Sequence, residues 1–216
     1  MGSRKEELSA RSEMIRRCPW CPLALTRTLA VPGEGPLDPP VLLFGQSPGR
    51  EEDRTGRPFV GRSGRLLEEL LRGIGLSREE VFITSILKCH PPKNRPPKRA
   101  WVETCLPHSE AQVALVKPRS LLVLGQVALQ GISSSLSLSL RRAQTSASPV
   151  EPSSRAEGGV FSRLEDARMK PFTWLGVPCF ATYHPAAALR FPSLREELRR
   201  DFATFRRWLK RQGLVP

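Results

Sequence analysis

Four short apolar runs, each closed by a turn and followed by helical patterning, constrain this 216-residue chain more than any other feature. They are Val41 to Gly45, Val81 to Leu87 (VFITSIL), Ser120 to Leu124 and Val177 to Thr182. Runs this short, apolar and partly β-branched read as buried strands. After the first, Leu66, Leu67, Leu70, Leu71 and Ile74 recur at helical spacing. A second helix starts near Ala100 and is expected to kink or restart at Pro107. A last helix opens with Ser193 and Glu196 in a capping-box pattern and carries Leu194, Leu198, Phe202, Phe205 and Leu209 on its core face. Strands alternating with helices predict an α/β fold, a mostly parallel sheet with helices on both faces.

The length fits one α/β domain with a sizeable core. Apolar content of 39% and 21 prolines place part of the chain in loops. The stretch 133–159, SSSLSLSLRRAQTSASPVEPSSRAEGG, combines repeated serine with few large apolar residues and is expected to be a flexible insertion. No apolar run approaches the roughly eighteen residues of a membrane span. The charged N-terminus lacks a signal peptide's apolar core, so a cytoplasmic protein is expected.

A net charge of +13 and a pI near 10.5 point to a polyanionic partner, nucleic acid or an anionic membrane face. The loop HPPKNRPPKR sharpens this. Its prolines hold Lys93, Arg95, Lys98 and Arg99 in fixed places suited to phosphates. Phe59 and Trp101 are candidate stacking surfaces for bases.

Cysteines inside a cell are metal ligands or core thiols rather than a disulfide framework. Cys18 and Cys21 form a C-x-x-C, while Cys89 and Cys105 stand too far apart for the second compact knuckle of a zinc ribbon. Four irregularly spaced thiolates suit a [4Fe–4S] cluster at least as well. On spacing alone a cluster, zinc and no metal all stay open. Cys179 lies inside a strand and reads as a small buried hydrophobe.

In a parallel sheet the carboxyl ends of the strands share one crevice, where ligands bind. Gly45, Gln46 and Ser47 end the first run, Ser85 lies near the end of the second, and His184 follows the fourth. Each has a plainer role open to it: His184 as a turn residue before Pro185, Gln46 as a partner for loop backbone.

Taken together, these residues resemble the family 4 uracil-DNA glycosylases, the iron–sulfur branch of that superfamily. The family's G-E-A-P-G, E-D-x-x-G-x-P-F-V-G-x-[AS]-G-x-L-L stands here as Gly45-Gln46-Ser47-Pro48-Gly49, Glu52-Asp53, Gly56, Pro58-Phe59-Val60-Gly61, Ser63-Gly64 and Leu66-Leu67. Its I-T-N-x-x-K-C-x-P-P-x-N-R appears as Ile83-Thr84-Ser85, Lys88-Cys89, Pro91-Pro92 and Asn94-Arg95. Its T-Y-H-P-[SA] appears as Thr182-Tyr183-His184-Pro185-Ala186, and its C-x-x-C-P-L as Cys18, Cys21, Pro22 and Leu23.

The resemblance implies a three-layer α/β/α sandwich with a four-stranded parallel sheet, and a structural [4Fe–4S] cluster on Cys18, Cys21, Cys89 and Cys105. It implies a monomer acting on uracil in single- or double-stranded DNA, with no membrane partner. The nucleotide would be flipped out of the stack. Phe59 would stack on the base, and amides near Gln46 and the imidazole of His184 would meet its O2 as the base leaves as an anion. Asp53 is the nearest carboxylate by position, and Ser47 stands where family 1 glycosylases keep a water-orienting Asp. Ala187 to Arg190, with Leu189 and Arg190, matches the loop that wedges into the duplex.

Two departures matter. Gln46 replaces the family's Glu, and Ser85 replaces the Asn that reads uracil's N3–H and O4. A serine hydroxyl satisfies only one edge atom well, whereas an amide offers donor and acceptor together. Ser85 therefore predicts weaker uracil readout, a shifted base preference or a roomier pocket. Excision of another deaminated or modified base, or DNA binding without chemistry, are the readings beside uracil excision.

Overall fold

The structure is a computed structural model that describes residues 2–145 and 161–216. In chain order its elements are α1 (Arg4–Arg17), β1 (Leu42–Gly45), α2 (Arg50–Thr55), α3 (Arg62–Gly73), β2 (Phe82–Ser85), α4 (Arg99–Val116), β3 (Leu121–Leu124) and α5 (Gln126–Thr145). Then follow α6 (Leu164–Ala167), β4 (Phe172–Trp174), β5 (Val177–Thr182), α7 (Pro185–Arg190) and α8 (Ser193–Arg211). The strands lie in the order β2-β1-β3-β5-β4. All four expected strands are present and run parallel to one another.

Strand alternation divides the core. Leu42, Phe44, Leu121 and Val123 face one layer with Ile15 of α1, Val102 of α4 and Leu129 of α5. Leu43, Leu122 and Leu124 face the other with Leu67 of α3, Ala188 of α7 and Phe202 of α8. The result is three layers. Both faces of the central strands are covered, so their runs are continuously apolar.

The sheet has a fifth strand that the sequence reading lacked. β4 pairs antiparallel with β5 at the sheet edge, closing a hairpin through Leu175 and Gly176. Both turn residues have positive φ (52° and 76°), as a tight hairpin turn requires. The usual Asn-Gly signal is replaced by Leu-Gly, which hides the turn.

Two further expectations need correction. α4 does not restart at Pro107 but continues through it as one helix. The stretch 133–159 is helical as far as Thr145, and 146–159 lie outside the described residues. Two of its serines are held by tertiary partners that composition does not reveal. Ser135 Oγ donates to Glu110 Oε1 (2.6 Å) and accepts from Trp174 Nε1 (3.2 Å), and Ser133 Oγ donates to the Phe161 carbonyl. Among the described residues no helix is long and apolar enough to cross a membrane.

Candidate active site

The carboxyl ends of β1, β2 and β5 open onto a cleft of about 580 Å³. Gln46, Ser47, Phe59, Ser85 and His184 line it together, so the strand-end residues singled out from the sequence do converge. Gly45 has to be glycine. A Cβ there would lie 2.7 Å from the Phe59 ring and 3.0 Å from Ser85 Oγ.

Phe59 is buried, with a positive φ of 50° that a bulky residue adopts only when its surroundings impose it. Arg78 imposes it from outside the motif. Its guanidinium donates to the carbonyls of Pro58 and Phe59 and pairs with Glu34 and Glu68. Against the cost of burial, Arg57 and Arg78 hold the Glu34 carboxyl below the usual carboxylate range. Gly64 completes the mould: a Cβ at that position would fall 1.8 Å from the Phe59 carbonyl.

His184 caps the N-terminus of α7, where its Nδ1 accepts from the Ala186 backbone N–H at 3.1 Å. Burial pushes its pKa down to about 4, against an opposing pull from Glu52. At neutral pH the ring is therefore uncharged, with its proton on Nε2. The ring lies 5.5 Å from that of Phe59, inclined by 24°. The strand end behind it is fastened by α8. Asp201 accepts from Thr182 Oγ1 and takes a two-pronged ion pair from Arg168 (2.8 and 3.0 Å), whose guanidinium covers the Tyr183 ring at 4.6 Å.

The two neighbouring carboxylates of α2 part ways. Asp53 does not join the lining of the cleft. Both its oxygens accept from the Thr28 backbone N–H (3.0 and 3.1 Å), tying α2 to the chain that follows Cys21. Glu52, which the sequence reading passed over, does line the cleft. It accepts from the backbone N–H groups of Gly49 (3.0 Å), Val60 (2.9 Å) and Gly61 (2.9 Å), stapling together the segments before and after α2. Its position at N3 of a short helix was the available signal.

In the loop that follows Cys89, Lys93, Arg95 and Lys98 are exposed, as expected of a basic loop. Lys93 and Asn94 have positive φ, Asn94 reaches the cleft, and Lys98 lies over Trp101 at 5.3 Å. The segment expected to be a wedge loop is instead the short helix α7. Leu189 packs on the core under it, whereas Arg190 and the 52% exposed Phe191 line the cleft mouth.

A second, much smaller cavity lies under α1 and α4. Cys18, Cys21, Cys89 and Cys105 line it with Trp20, Arg27, Lys88 and His108. All four thiols are free. Arg27 Nη1 donates to Cys89 Sγ at 3.1 Å and to the Cys18 carbonyl at 2.9 Å. Lys88 is fully buried, with Nζ donating to Thr84 Oγ1 and the Ser85 carbonyl, both at 2.7 Å. Among the described residues no group of His, Cys, Asp or Glu is arranged to hold a single metal ion. Four thiols beside the Arg27 guanidinium form a donor set suited to an anionic thiolate-ligated group larger than one ion. Cys179 is a buried thiol of the core, as expected.

A sandwich of three layers with a pocket at the strand ends is a ligand-binding α/β architecture. The family model of the uracil DNA glycosylase superfamily matches residues 32–210, and the chain belongs to that superfamily. It is 40% identical over 199 residues to the type-4 uracil-DNA glycosylase of Pyrobaculum aerophilum, covering 92% of this chain and 93% of that one. It is 35% identical over 216 residues to the type-4 enzyme of Thermotoga maritima (99% and 100% covered). It is 39% identical over 188 residues to that of Archaeoglobus fulgidus (87% and 86% covered).

Proposed function

We propose that the protein is a monofunctional DNA glycosylase that hydrolyses the N-glycosidic bond of uracil in DNA, in base excision repair. The observation that carries this reading is the pairing, in one strand-end cleft, of the Phe59 ring with a neutral His184 whose Nε2–H is not used by its own helix.

The basic rim of Lys93, Arg95, Lys98 and Arg190 holds the phosphates of single- or double-stranded DNA. A target nucleotide leaves the stack at a cost of roughly a few kcal/mol and enters the cleft. Phe59 stacks on the base. As the C1′–N1 bond breaks, its electron pair passes to the base, and the Nε2–H of His184 donates to the developing charge on O2. A neutral donor fixed in a water-poor site stabilises that charge more than it stabilises bound substrate. Water adds to C1′ and gives up a proton, leaving an abasic site and free uracil. Gln46 and Ser47 are the strand-end side chains that orient this water. Asp53, committed to Thr28, takes no part, and Glu52 shapes the loop. At the mouth, Phe191 rather than Leu189 fills the space vacated in a duplex.

Cys18, Cys21, Cys89 and Cys105 hold a structural [4Fe–4S] cluster in this reading, as the relatives' type-4 name suggests. Such a cluster would cross-link the C-x-x-C segment to α4. The protein works as a monomer on chromosomal DNA in the cytoplasm. A second reading rests on Ser85 in the cleft: with no side-chain amide there, the site also accepts a deaminated or modified base other than uracil. Incubation with uracil-containing oligonucleotide, followed by strand cleavage at abasic sites, tests the main reading. No abasic product at stoichiometric enzyme overturns it.

A further inference from the structure

His108 lacks what a buried imidazole needs. It is 1% exposed, and neither Nδ1 nor Nε2 has a hydrogen-bond partner among the described residues. Buried polar atoms in folded proteins are almost always bonded, so an orphan of this kind marks a group still to be supplied. The surroundings say where that group sits. His108 lines the small cavity shared by Cys18, Cys21, Cys89 and Cys105. It stands three residues after Cys105 on α4, a spacing that puts both side chains on one helix face. Trp20, inside the C-x-x-C, stacks on the imidazole with centroids 4.4 Å apart and planes 9° from parallel. That stack fixes the ring plane and leaves only the ring edge to bond.

We infer that the ring N–H of His108 donates a hydrogen bond to a sulfur of the cluster held by the four cysteines. The inference rests on the cluster reading above. Arg27 already makes a contact of this kind, from Nη1 to Cys89 Sγ at 3.1 Å. His108 would make the matching contact from α4. It is a positioning and tuning residue, not a ligand, because four thiols complete the cluster's set. Hydrogen bonds to cluster sulfurs withdraw charge and favour the reduced form, so such donors set the reduction potential.

His108→Phe keeps the stack on Trp20 and removes both nitrogens. Ser109→Ala is the control, since Ser109 Oγ is likewise buried and unpartnered but is not part of the cavity lining. Iron and sulfide content and the reduction potential are measured on the anaerobically purified proteins. The expected result is full iron in all three, an unchanged potential for Ser109→Ala, and a lower one for His108→Phe. A tenfold loss of preference for the reduced form is ~59 mV for one electron. An unchanged potential in an iron-replete His108→Phe protein overturns the inference while leaving the cluster reading intact. Wild-type protein without iron overturns both. If His108→Phe loses its iron, His108→Gln, which keeps a side-chain N–H, is expected to retain it. Loss of iron in both variants overturns the tuning role in favour of His108 as a ligand.

Discussion

Nδ1 of His184 accepts a hydrogen bond from the backbone N–H of Ala186, two residues further on, at 3.1 Å. This bond decides the chemistry of the ring. Because Nδ1 is an acceptor, the single proton of the neutral imidazole is on Nε2, the edge left for a ligand. Capping a helix and donating to a leaving base are thus one arrangement.

His184→Ala removes that donor. Single-turnover excision of uracil is expected to fall by about 10²–10³-fold, the usual effect of deleting one transition-state donor. DNA affinity should stay nearly unchanged, since the phosphates are held elsewhere. An unchanged rate refutes the assigned role.

The same ring predicts a pH profile. Burial pushes His184 to about 4, below the roughly 6.5 of an unfolded histidine. The folded ring therefore binds its proton more weakly than the unfolded ring. Its contribution to stability is complete above pH ~6.5 and is lost as pH falls from there toward 4. Turnover should show no inflection near 6.5, with the acid limb only towards pH 4. Denaturation midpoints of wild type and His184→Ala across this range isolate the His184 share, because His108 is shifted in the same direction.

Ser85→Asn restores a planar amide with both donor and acceptor at the base-reading position. A bidentate contact of this type is worth about 1–3 kcal/mol of discrimination, so uracil excision should rise by about tenfold. Rates on a panel of deaminated bases provide the check. A fall on uracil would show that the cleft is built around serine.

Glu52 and Asp53 should separate cleanly. Glu52→Gln places an NH₂ among backbone N–H donors, at a cost of about 1–3 kcal/mol, and loosens the Phe59 loop. Turnover should drop with it. Asp53→Asn retains one oxygen for Thr28 and should leave turnover within a few-fold of wild type. A large loss of rate with a normal melting temperature in Asp53→Asn would return that carboxylate to the chemistry.

At the mouth, Arg190→Ala should weaken DNA binding and flatten the slope of log affinity against log salt by about 0.9 on duplex. Phe191→Ala should slow excision from duplex more than from single strands. Leu189→Ala should instead lower the melting temperature, because its side chain packs on the core. Equal effects of Phe191→Ala on both substrates would rule out the wedge.

Much of this was legible in the residues. The four parallel strands were marked by short apolar runs, and α3 and α8 by their apolar spacing. The strand-end set of Gln46, Ser47, Ser85 and His184 followed from the rule that parallel strand ends share a crevice, and Phe59 from the Pro-Phe-Val-Gly motif. These signals are local: a period of two or 3.6 and a turn chemistry are written within a few residues. The edge strand β4 was not legible, because its three residues are defined by pairing with β5 and not by any periodicity of their own.

What the sequence by itself determined is the kind of pocket and the residues at its strand ends. What only the tertiary structure decided is which side chain meets which partner. Glu52 and Asp53 are neighbours of one charge on one helix, yet helix geometry turns their side chains about 100° apart. One reaches the loop amides of Val60 and Gly61, the other the amide of Thr28. Arg78 under Phe59 and Asp201 behind His184 belong to the same class. Each acts on a residue distant in the chain, and the bond exists only because folding brings the two segments together.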